Sequence, residues 1–369
     1  MERALARSRD RYPDPRSTRR TIRLMIVDDS TVARAVLSRM VETDPVFEIT
    51  AVAGTAEDAI EALAECRVDI VVLDLEMPGA GGLKSIPRII AAAAGAKVMI
   101  VSSLAEDGAE QTVAALALGA ADTLPKPGTG RFNGKFSEIL LGKLRALGYA
   151  TVEPSPVRPA KSGAPGPLRA MPTDPIDVLA IGASTGGIHA LGALFHALPA
   201  KIGVPILVTQ HLPAPFMGVF ARQLGAVARR PAVVAEDGMK LEPDVILVAP
   251  GDAHLTIEPG PGGATVRLTH GRSTSGCMPS LDPMFGSIGA IFGTGALGVV
   301  LTGMGRDGVE GASRLVECGG SILAQDEASC AVWGMPRAVL EAGLACAILP
   351  PDKIARRIGS RTAEPPACN

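Results

Sequence analysis

The chain has 369 residues, a formal net charge of -2 at pH 7 and 47% hydrophobic residues. This length is enough for two cores, the near-neutral charge gives no reason to expect a nucleic-acid partner, and no apolar stretch approaches the roughly 20 residues that would predict membrane insertion. The six cysteines form no C-x-x-C pair, so we interpret them as reduced thiols of a cytoplasmic protein, with neither disulfides nor a zinc site.

The N-terminal part of the chain predicts an arm followed by an α/β domain. Residues 1–20 contain seven arginines against three acidic residues, and we expect residues 1–21 to form a disordered basic arm. From residue 22, five apolar runs alternate with amphipathic stretches, which predicts βαβ units and a parallel sheet with helices on both faces. The predicted strands are 22–27, 47–53, 70–73, 98–101 and 121–124, and the predicted helices lie near 31–43, 56–66, 83–94, 106–118 and 134–147.

Polar side chains follow the ends of four of these runs, namely Asp28, Asp29, Asp74, Ser102 and Lys126. Each one alone could be a helix cap, a turn residue or a solvated charge. Together they fall at one edge of a parallel sheet, where three carboxylates form an oxygen site for a hard cation such as Mg²⁺. A lysine and a hydroxyl beside them would let Asp74 carry a phosphoryl group.

Residues 22–145 resemble a response-regulator receiver. The shared motifs are the acidic pair at 28–29, Leu-Asp-Leu-Glu-Met-Pro at 73–78, Val-Ser-Ser at 101–103 and Leu-Pro-Lys-Pro at 124–127. The resemblance implies a flavodoxin-like (βα)5 domain, assigned to residues 22–147, that receives a phosphoryl group from a histidine kinase. The implied roles are phosphoryl acceptor for Asp74, Mg²⁺ site for Asp28, Asp29, Asp74 and the Glu76 carbonyl, and switch residues for Ser102 and Lys126, with a cis bond before Pro127.

The rest of the chain predicts a linker, a second domain and a tail. Residues 149–175 contain seven prolines and two glycines, so we expect a semi-extended linker over 148–175. Apolar runs near 176–181, 204–210 and 297–302 predict buried parallel strands, whereas the segments 245–249, 253–258 and 264–269 alternate like an antiparallel hairpin. We therefore expect a Rossmann-like, doubly wound parallel sheet with an antiparallel hairpin over 176–358, and a flexible tail over 359–369.

The segment Ile-Gly-Ala-Ser-Thr-Gly-Gly at 181–187 links a predicted strand to a predicted helix. Gly182, Ser184 and Gly186 fit the pattern G-x-S-x-G, in which a sharp turn exposes a nucleophilic hydroxyl. Ser184 is therefore a candidate nucleophile. The alternative is a glycine-rich turn whose backbone N–H groups hold a phosphate or a nucleotide.

A serine nucleophile needs a histidine base and a carboxylate that orients it. His211 and Asp307 follow two further predicted strands, so they would share an edge of the sheet with Ser184. Asp252 and His254 would instead satisfy the chain order of an α/β-hydrolase, and they remain the second choice. The N–H of Thr185, the residue after the nucleophile, is the expected oxyanion donor.

Residues 176–358 resemble the catalytic domain of the chemotaxis protein-glutamate methylesterases, the CheB family, and the order of the two domains matches as well. Besides residues 181–187, the shared motifs are Gln-His-Leu-Pro at 210–213, Ala-Pro-Gly-Asp at 249–252, Pro-Ser-Leu-Asp-Pro-Met-Phe at 279–285 and Leu-Thr-Gly-Met-Gly-Arg-Asp-Gly at 301–308. The resemblance implies the triad Ser184, His211 and Asp307, and the Met304 N–H as a second oxyanion donor.

The activity implied by this resemblance is hydrolysis of glutamyl γ-methyl esters on the cytoplasmic helices of chemoreceptors, with deamidation of glutamines at the same site. The implied partners are the chemoreceptors and a chemotaxis histidine kinase, and no cofactor is expected in the catalytic domain. Two alternatives stay open: a phosphorylation-controlled binding module, and the same esterase in a chemosensory pathway that does not serve flagella.

Overall fold

The computed structural model describes residues 21–77, 82–102, 106–127, 134–150, 168–260 and 262–362. The predicted basic arm up to residue 20, the linker from 151 to 167 and the tail from 363 onward lie outside these residues. No helix among the described residues is both long and apolar enough to cross a bilayer.

The N-terminal unit is a five-stranded parallel sheet with the strand order β2-β1-β3-β4-β5. The strands are β1 (Ile22–Val27), β2 (Phe47–Ala53), β3 (Ile70–Leu73), β4 (Lys97–Ser102) and β5 (Asp122–Pro125). The helices are α1 (Thr31–Val41), α2 (Ala56–Glu65), α3 (Gly82–Ala92), α4 (Glu106–Ala117) and α5 (Gly134–Ala150). All four residues of β3 are buried, as expected where helices cover both faces of a central strand.

The C-terminal unit is a seven-stranded parallel sheet with the strand order β14-β13-β12-β6-β7-β9-β8. The strands are β6 (Val178–Ala183), β7 (Ile206–Gln210), β8 (Ala232–Val234), β9 (Ile246–Val248), β12 (Ala296–Val300), β13 (Ser321–Gln325) and β14 (Ala345–Leu349), and β10 (His254–Gly260) and β11 (Gly263–Thr269) form a separate antiparallel pair. The helices are α6 (Gly187–Ala197), α7 (Ala214–Ala228), α8 (Leu281–Phe292), α9 (Val309–Glu317), α10 (Met335–Glu341) and α11 (Pro351–Gly359). The predicted fold class, two doubly wound parallel sheets with a hairpin, is confirmed.

The hairpin is shorter than predicted. Residues 245–249 were expected in it, but β9 instead pairs in parallel with β7 and β8. Its three residues are all buried, which is the pattern of a strand covered on both faces and not of an alternating hairpin strand.

Residues beyond two of the predicted boundaries pack against the C-terminal sheet. The Arg169 N–H donates to the Ala345 carbonyl at 2.9 Å, although Arg169 falls in the predicted linker. Arg361 falls in the predicted tail, yet only 4% of it is exposed. Its guanidinium donates to the Asp174 carbonyl at 3.0 Å and to Ser321 Oγ at 2.6 Å, so both segments carry fixed contacts.

One peptide bond differs from the expectation. Among the described residues the structure has a cis bond at Met278–Pro279, whereas the bond between Lys126 and Pro127 is trans.

The two sheets meet where α4 packs against α6 and α7. On the rim of this contact, Arg222 of α7 forms an ion pair of 2.9 Å with Glu110 of α4. Nearer the centre, the Gly186 N–H donates to the carbonyl of Ala121, the residue before β5, at 2.6 Å. The receiver-like unit therefore lies directly on the turn that follows β6.

Candidate active site

Ser184 lies on the turn between β6 and α6, at the carboxyl edge of the seven-stranded sheet. Its N–H donates to the Thr302 carbonyl at 3.0 Å, and its own carbonyl accepts from Gln210 Nε2 at 2.9 Å. Gly186 has a φ of 77°, and a Cβ on Gly187 would lie 2.2 Å from Gln210 Oε1. The glycines are therefore needed for a turn that packs this closely, and the turn fixes Ser184 between two neighbouring strands.

His211 and Asp307 follow the strands on either side of β6, since β7 and β12 are its two neighbours. His211 Nε2 and Asp307 Oδ2 are 2.8 Å apart. Only 1% of Asp307 is exposed, and its carboxylate also accepts hydrogen bonds from Ser275 Oγ at 2.6 Å, Ser280 Oγ at 2.6 Å and the Leu281 N–H at 2.8 Å. This set of donors holds Asp307 as an anion aimed at the imidazole.

The charges of this pair follow from its contacts. Burial alone would raise the pKa of Asp307, but the hydrogen bonds from His211 and the two serines outweigh it and lower the pKa to about 2. Burial alone would lower the pKa of His211, yet its hydrogen bonds with Asp307 and the Cys277 thiol raise the pKa to about 9. These contacts favour the imidazolium, the form that arises when the ring accepts a proton from a serine hydroxyl.

The receiver-like unit closes the space in front of Ser184. A cleft lined by Ser184, His211 and the receiver residues Ala121 and Asp122 has a volume of about 10 Å³, which is the lower limit for one water molecule. Among the described residues, no hydrogen bond joins the Ser184 hydroxyl to His211. The trio is thus brought together at one sheet edge, but its nucleophile and base are not engaged while the cleft is closed.

Asp122 makes the most direct contact across this cleft. Its Oδ2 accepts from Thr185 Oγ1 at 2.6 Å and from Lys143 Nζ at 2.7 Å. Only 8% of Asp122 is exposed. We call Asp122, Thr185 and Lys143 the interdomain latch, because their bonds tie β5 and α5 of one unit to the nucleophile turn of the other.

The two predicted oxyanion residues lie on separate backbone segments beside Ser184. Thr185 follows Ser184 at the N-terminal end of α6. Met304 follows Gly303, where an added Cβ would lie only 2.7 Å from Ser184 Cβ. This close approach brings the loop after β12 against the nucleophile, as a second oxyanion donor requires.

The predicted phosphorylation site is assembled at the carboxyl edge of the five-stranded sheet. Oxygens of Asp28, Asp29 and Asp74 lie within 4.8 Å of one another. Lys126 Nζ is 2.9 Å from Asp28 Oδ2 and 2.8 Å from Asp74 Oδ2. Burial raises the pKa of Asp74, and the hydrogen bond from Lys126 opposes this shift by stabilising the carboxylate.

The donor set of this site fits a hard divalent cation. Asp28 Oδ2 is buried and, within the described part of the chain, has no hydrogen bond of acceptable geometry, although Lys126 lies close to it. Glu76, whose carbonyl was predicted as a ligand, follows closely in the chain, and its N–H donates to Asp74 Oδ1 at 3.2 Å. The predicted switch hydroxyl of Ser102 is buried and shares a hydrogen bond of 2.6 Å with Thr112 Oγ1 on α4.

The rival histidine has a structural role. His254 Nε2 pairs with the Gly271 carbonyl at 2.7 Å, and the Ser280 N–H donates to His254 Nδ1 at 3.0 Å. Both ring nitrogens are therefore occupied by backbone groups, and Asp252 is exposed. The alternative trio with Asp252 and His254 is not formed.

The sequence analysis missed several residues of these sites. Ser280 carried a weak signal, since serine is a favoured N-cap residue and Ser280 caps α8. Signals were lacking for Ser275, Cys277 and Asp122, which reach the sites from distant segments that show no motif. Thr112 lies ten residues after Ser102, outside any motif.

Comparisons with known proteins cover both units. The profile of the CheB methylesterase family matches residues 179–358, and that of the response regulator receiver domain matches residues 24–131. The chain is 42% identical to the protein-glutamate methylesterase/protein-glutamine glutaminase 2 of Caulobacter vibrioides, over 92% of this chain and 99% of that protein. It is 37% identical to the protein-glutamate methylesterase/protein-glutamine glutaminase 1 of Paramagnetospirillum magneticum, over 91% of this chain and 94% of that protein.

Solved structures give the same two matches. The CheB methylesterase catalytic domain of Thermotoga maritima is 33% identical, with a TM-score of 0.49, over 50% of this chain and 97% of that structure. The response regulator domain of Thermotoga maritima CheB is 34% identical, with a TM-score of 0.32, over 37% of this chain and 100% of that structure.

Proposed function

The chain belongs to the CheB methylesterase family, and from this premise we propose that Ser184, His211 and Asp307 are its catalytic triad. It is a protein-glutamate methylesterase and protein-glutamine glutaminase under the control of a receiver domain. The observation that supports this triad most strongly is the 2.8 Å pair of His211 and Asp307 at the sheet edge that carries Ser184.

The chemistry is acyl transfer in two steps. In the open enzyme His211 takes the proton of the Ser184 hydroxyl while Ser184 Oγ attacks the glutamyl ester carbonyl. The C–O bond to the methoxy group breaks, and methanol leaves with the proton from His211. Water then attacks the acyl-enzyme with the same help from His211, which releases the glutamate and restores the serine. A glutamine side chain in the same position would release ammonia in place of methanol.

The backbone N–H groups of Thr185 and Met304 stabilise the oxyanion of each tetrahedral intermediate. Each such donor contributes about 3 to 4 kcal/mol to lowering the barrier. The close packing of Gly303 on Ser184 supports this role, since it keeps the Met304 segment next to the nucleophile.

In the receiver domain, Asp74 is the phosphoryl acceptor and a chemotaxis histidine kinase is the donor. Asp28, Asp29, Asp74 and the Glu76 carbonyl would hold Mg²⁺, which supplies positive charge against the phosphoryl oxygens. Lys126, which lies beside Asp74, neutralises a further phosphoryl oxygen. The Ser102 hydroxyl, as the switch residue, donates a hydrogen bond to the phosphoryl group.

Phosphorylation activates the enzyme by opening the cleft between the two domains. The space of about 10 Å³ beside Ser184 cannot admit a glutamyl side chain. The substrate is a methylated glutamate on a cytoplasmic helix of a chemoreceptor, so the enzyme acts in the cytoplasm. The receiver is assigned to residues 22–147 and the catalytic domain to 176–358.

The test is methanol release from methylated receptor membranes by the full-length chain and by Ser184→Ala, each with and without acetyl phosphate and Mg²⁺. We expect release that requires Ser184 and increases with the phosphodonor. Equal release by both proteins under both conditions would refute the triad, whereas Ser184-dependent release that ignores the phosphodonor would refute only the control by the receiver.

A further inference from the structure

A thiol that the esterase mechanism does not use lies against the candidate triad. His211, Cys277 and Asp307 each offer one donor atom, and the three atoms lie within 4.8 Å of one another. Among the described residues the only other group of this kind is the carboxylate cluster of the receiver, which contains no sulfur.

The chemistry of the three donors is that of zinc. Imidazole nitrogen, thiolate sulfur and carboxylate oxygen bind Zn²⁺ at about 2.0 to 2.3 Å, and a site with three protein ligands keeps a fourth position for water. Donor atoms of such a tetrahedral site are about 3 to 4 Å apart. The donor atoms, all within 4.8 Å of one another, therefore lie close to the spacing of such a site.

The loop that carries Cys277 is exposed in the full chain. Cys277 is half-buried, while its neighbours Ser275, Gly276 and Met278 are exposed in the full chain. The ligands come from the end of β7, the loop before α8 and the loop after β12, so they are fixed by three separate parts of the fold. Asp307 is further held by Ser280 and the Leu281 N–H, which would orient a metal-bound carboxylate.

We propose that His211, Cys277 and Asp307 form a site for Zn²⁺ and that the bound ion inhibits the esterase. This inference rests on the proposed triad for its effect on activity, but not for the binding itself. The ion would take the imidazole nitrogen that now pairs with Asp307, so the carboxylate could no longer orient the base. Zinc is here an inhibitor and not a cofactor of the reaction.

Cobalt binding tests the site without any activity measurement. Full-length protein is first given excess Mg²⁺ to occupy the receiver carboxylates and is then titrated with Co²⁺, whose bond to a thiolate produces a charge-transfer absorption in the near ultraviolet. We expect this band at one equivalent in the wild type and in Cys330→Ser, a control at another half-buried cysteine. It should be lost in Cys277→Ser and displaced by Zn²⁺. No band, or the same band in Cys277→Ser, would overturn the proposal.

Zinc inhibition of methanol release provides the second measurement. We expect Cys277→Ser to need at least about tenfold more Zn²⁺ than the wild type for half-inhibition, because the loss of a supporting group alone weakens metal sites about 10- to 100-fold. Equal inhibition of both proteins would remove Cys277 from the site. If the cobalt band forms in a protein that releases no methanol, the metal site stands and the proposed function fails.

Discussion

Asp307 accepts hydrogen bonds from His211, Ser275, Ser280 and Leu281, which makes its charge the centre of the candidate triad. We predict that Asp307→Asn lowers methanol release by about 10⁴-fold, because an amide would hold the wrong imidazole tautomer. The matched control is Asp244→Asn, which keeps a side-chain oxygen that can accept from the Ile202 N–H, a bond of 2.6 Å far from the triad. Activity of Asp307→Asn within tenfold of the wild type would contradict the assignment of the carboxylate.

Gly303 is the second residue whose role can be tested alone. An added Cβ would lie 2.7 Å from Ser184 Cβ and 2.4 Å from Met335 Sδ, so one of these groups must move. We predict that Gly303→Ala costs about 1 to 3 kcal/mol of unfolding free energy and also lowers ester hydrolysis, as measured by urea unfolding and methanol release.

The control for this substitution is Gly192→Ala. A Cβ at Gly192 has no atom within 4 Å and lies inside α6, where alanine is favoured over glycine by about 1 kcal/mol. It should stabilise the protein and leave hydrolysis unchanged. A Gly303→Ala protein with wild-type activity would show that the loop after β12 does not constrain the nucleophile.

At the level of single residues, the sequence could predict those groups that follow a parallel strand. Ser184, His211 and Asp307 do so, and β6, β7 and β12 are neighbours in the sheet. Ser275 and Cys277 could not be predicted, because the loop before α8 has no periodic pattern of apolar residues that would predict its position in the fold. This loop lies close to Asp307 because α8 packs against β6 in the tertiary structure.

Helix α4 is the element that links the phosphorylation site to the interface. The Ser102 hydroxyl at the end of β4 is hydrogen-bonded to Thr112 of α4 at 2.6 Å, and α4 packs against α6 and α7. If Ser102 turns to a phosphoryl group on Asp74, as proposed, Thr112 would lose its partner. The contact between α4 and the sheet of the receiver would then be weaker, and α4 is the helix that packs against the catalytic domain.

This route predicts that Thr112→Val partly activates the unphosphorylated enzyme. One hydrogen bond contributes about 0.5 to 1.5 kcal/mol, so we expect about a 2- to 10-fold increase in methanol release without phosphodonor and a smaller stimulation by acetyl phosphate. Thr123→Val is the control, since the Thr123 hydroxyl is also buried in the receiver but finds no hydrogen-bond partner among the residues that the structure describes. Equal behaviour of the two variants would rule out the route through α4.

Hydrophobic periodicity in the sequence is sufficient to predict some of the strands but not others. Three strands of the receiver, β1, β2 and β3, begin and end where predicted, because buried runs and polar ends alternate regularly. The segment 245–249 was assigned to the hairpin, since a short apolar run does not by itself distinguish a parallel from an antiparallel strand. Arg361 was unexpected in the core because its partners Asp174 and Ser321 are far away in sequence.

At the scale of the whole molecule, the polar contacts between the domains differ in strength. The pair of Arg222 and Glu110 joins side chains that are 65% and 61% exposed, so it contributes at most about 1 kcal/mol. The hydrogen bond from Thr185 to Asp122 is buried and charge-assisted, which corresponds to about 1.5 to 3 kcal/mol. Changing a closed-to-open ratio from 99:1 to 1:99 requires about 5.5 kcal/mol, so the interdomain latch supplies a substantial part of what phosphorylation must overcome.

The last prediction follows from this comparison. Asp122→Ala removes the acceptor that Thr185 and Lys143 share, and we expect methanol release without phosphodonor to increase about 10- to 100-fold, in line with about 1.5 to 3 kcal/mol. Release with acetyl phosphate should change little, because the latch is already open in that state. Asp44→Ala is the control, since it removes another carboxylate of the receiver that pairs with Arg145 within the same domain. An equal increase with and without phosphodonor would show that Asp122 acts on the chemistry of Ser184 and not on the opening of the cleft.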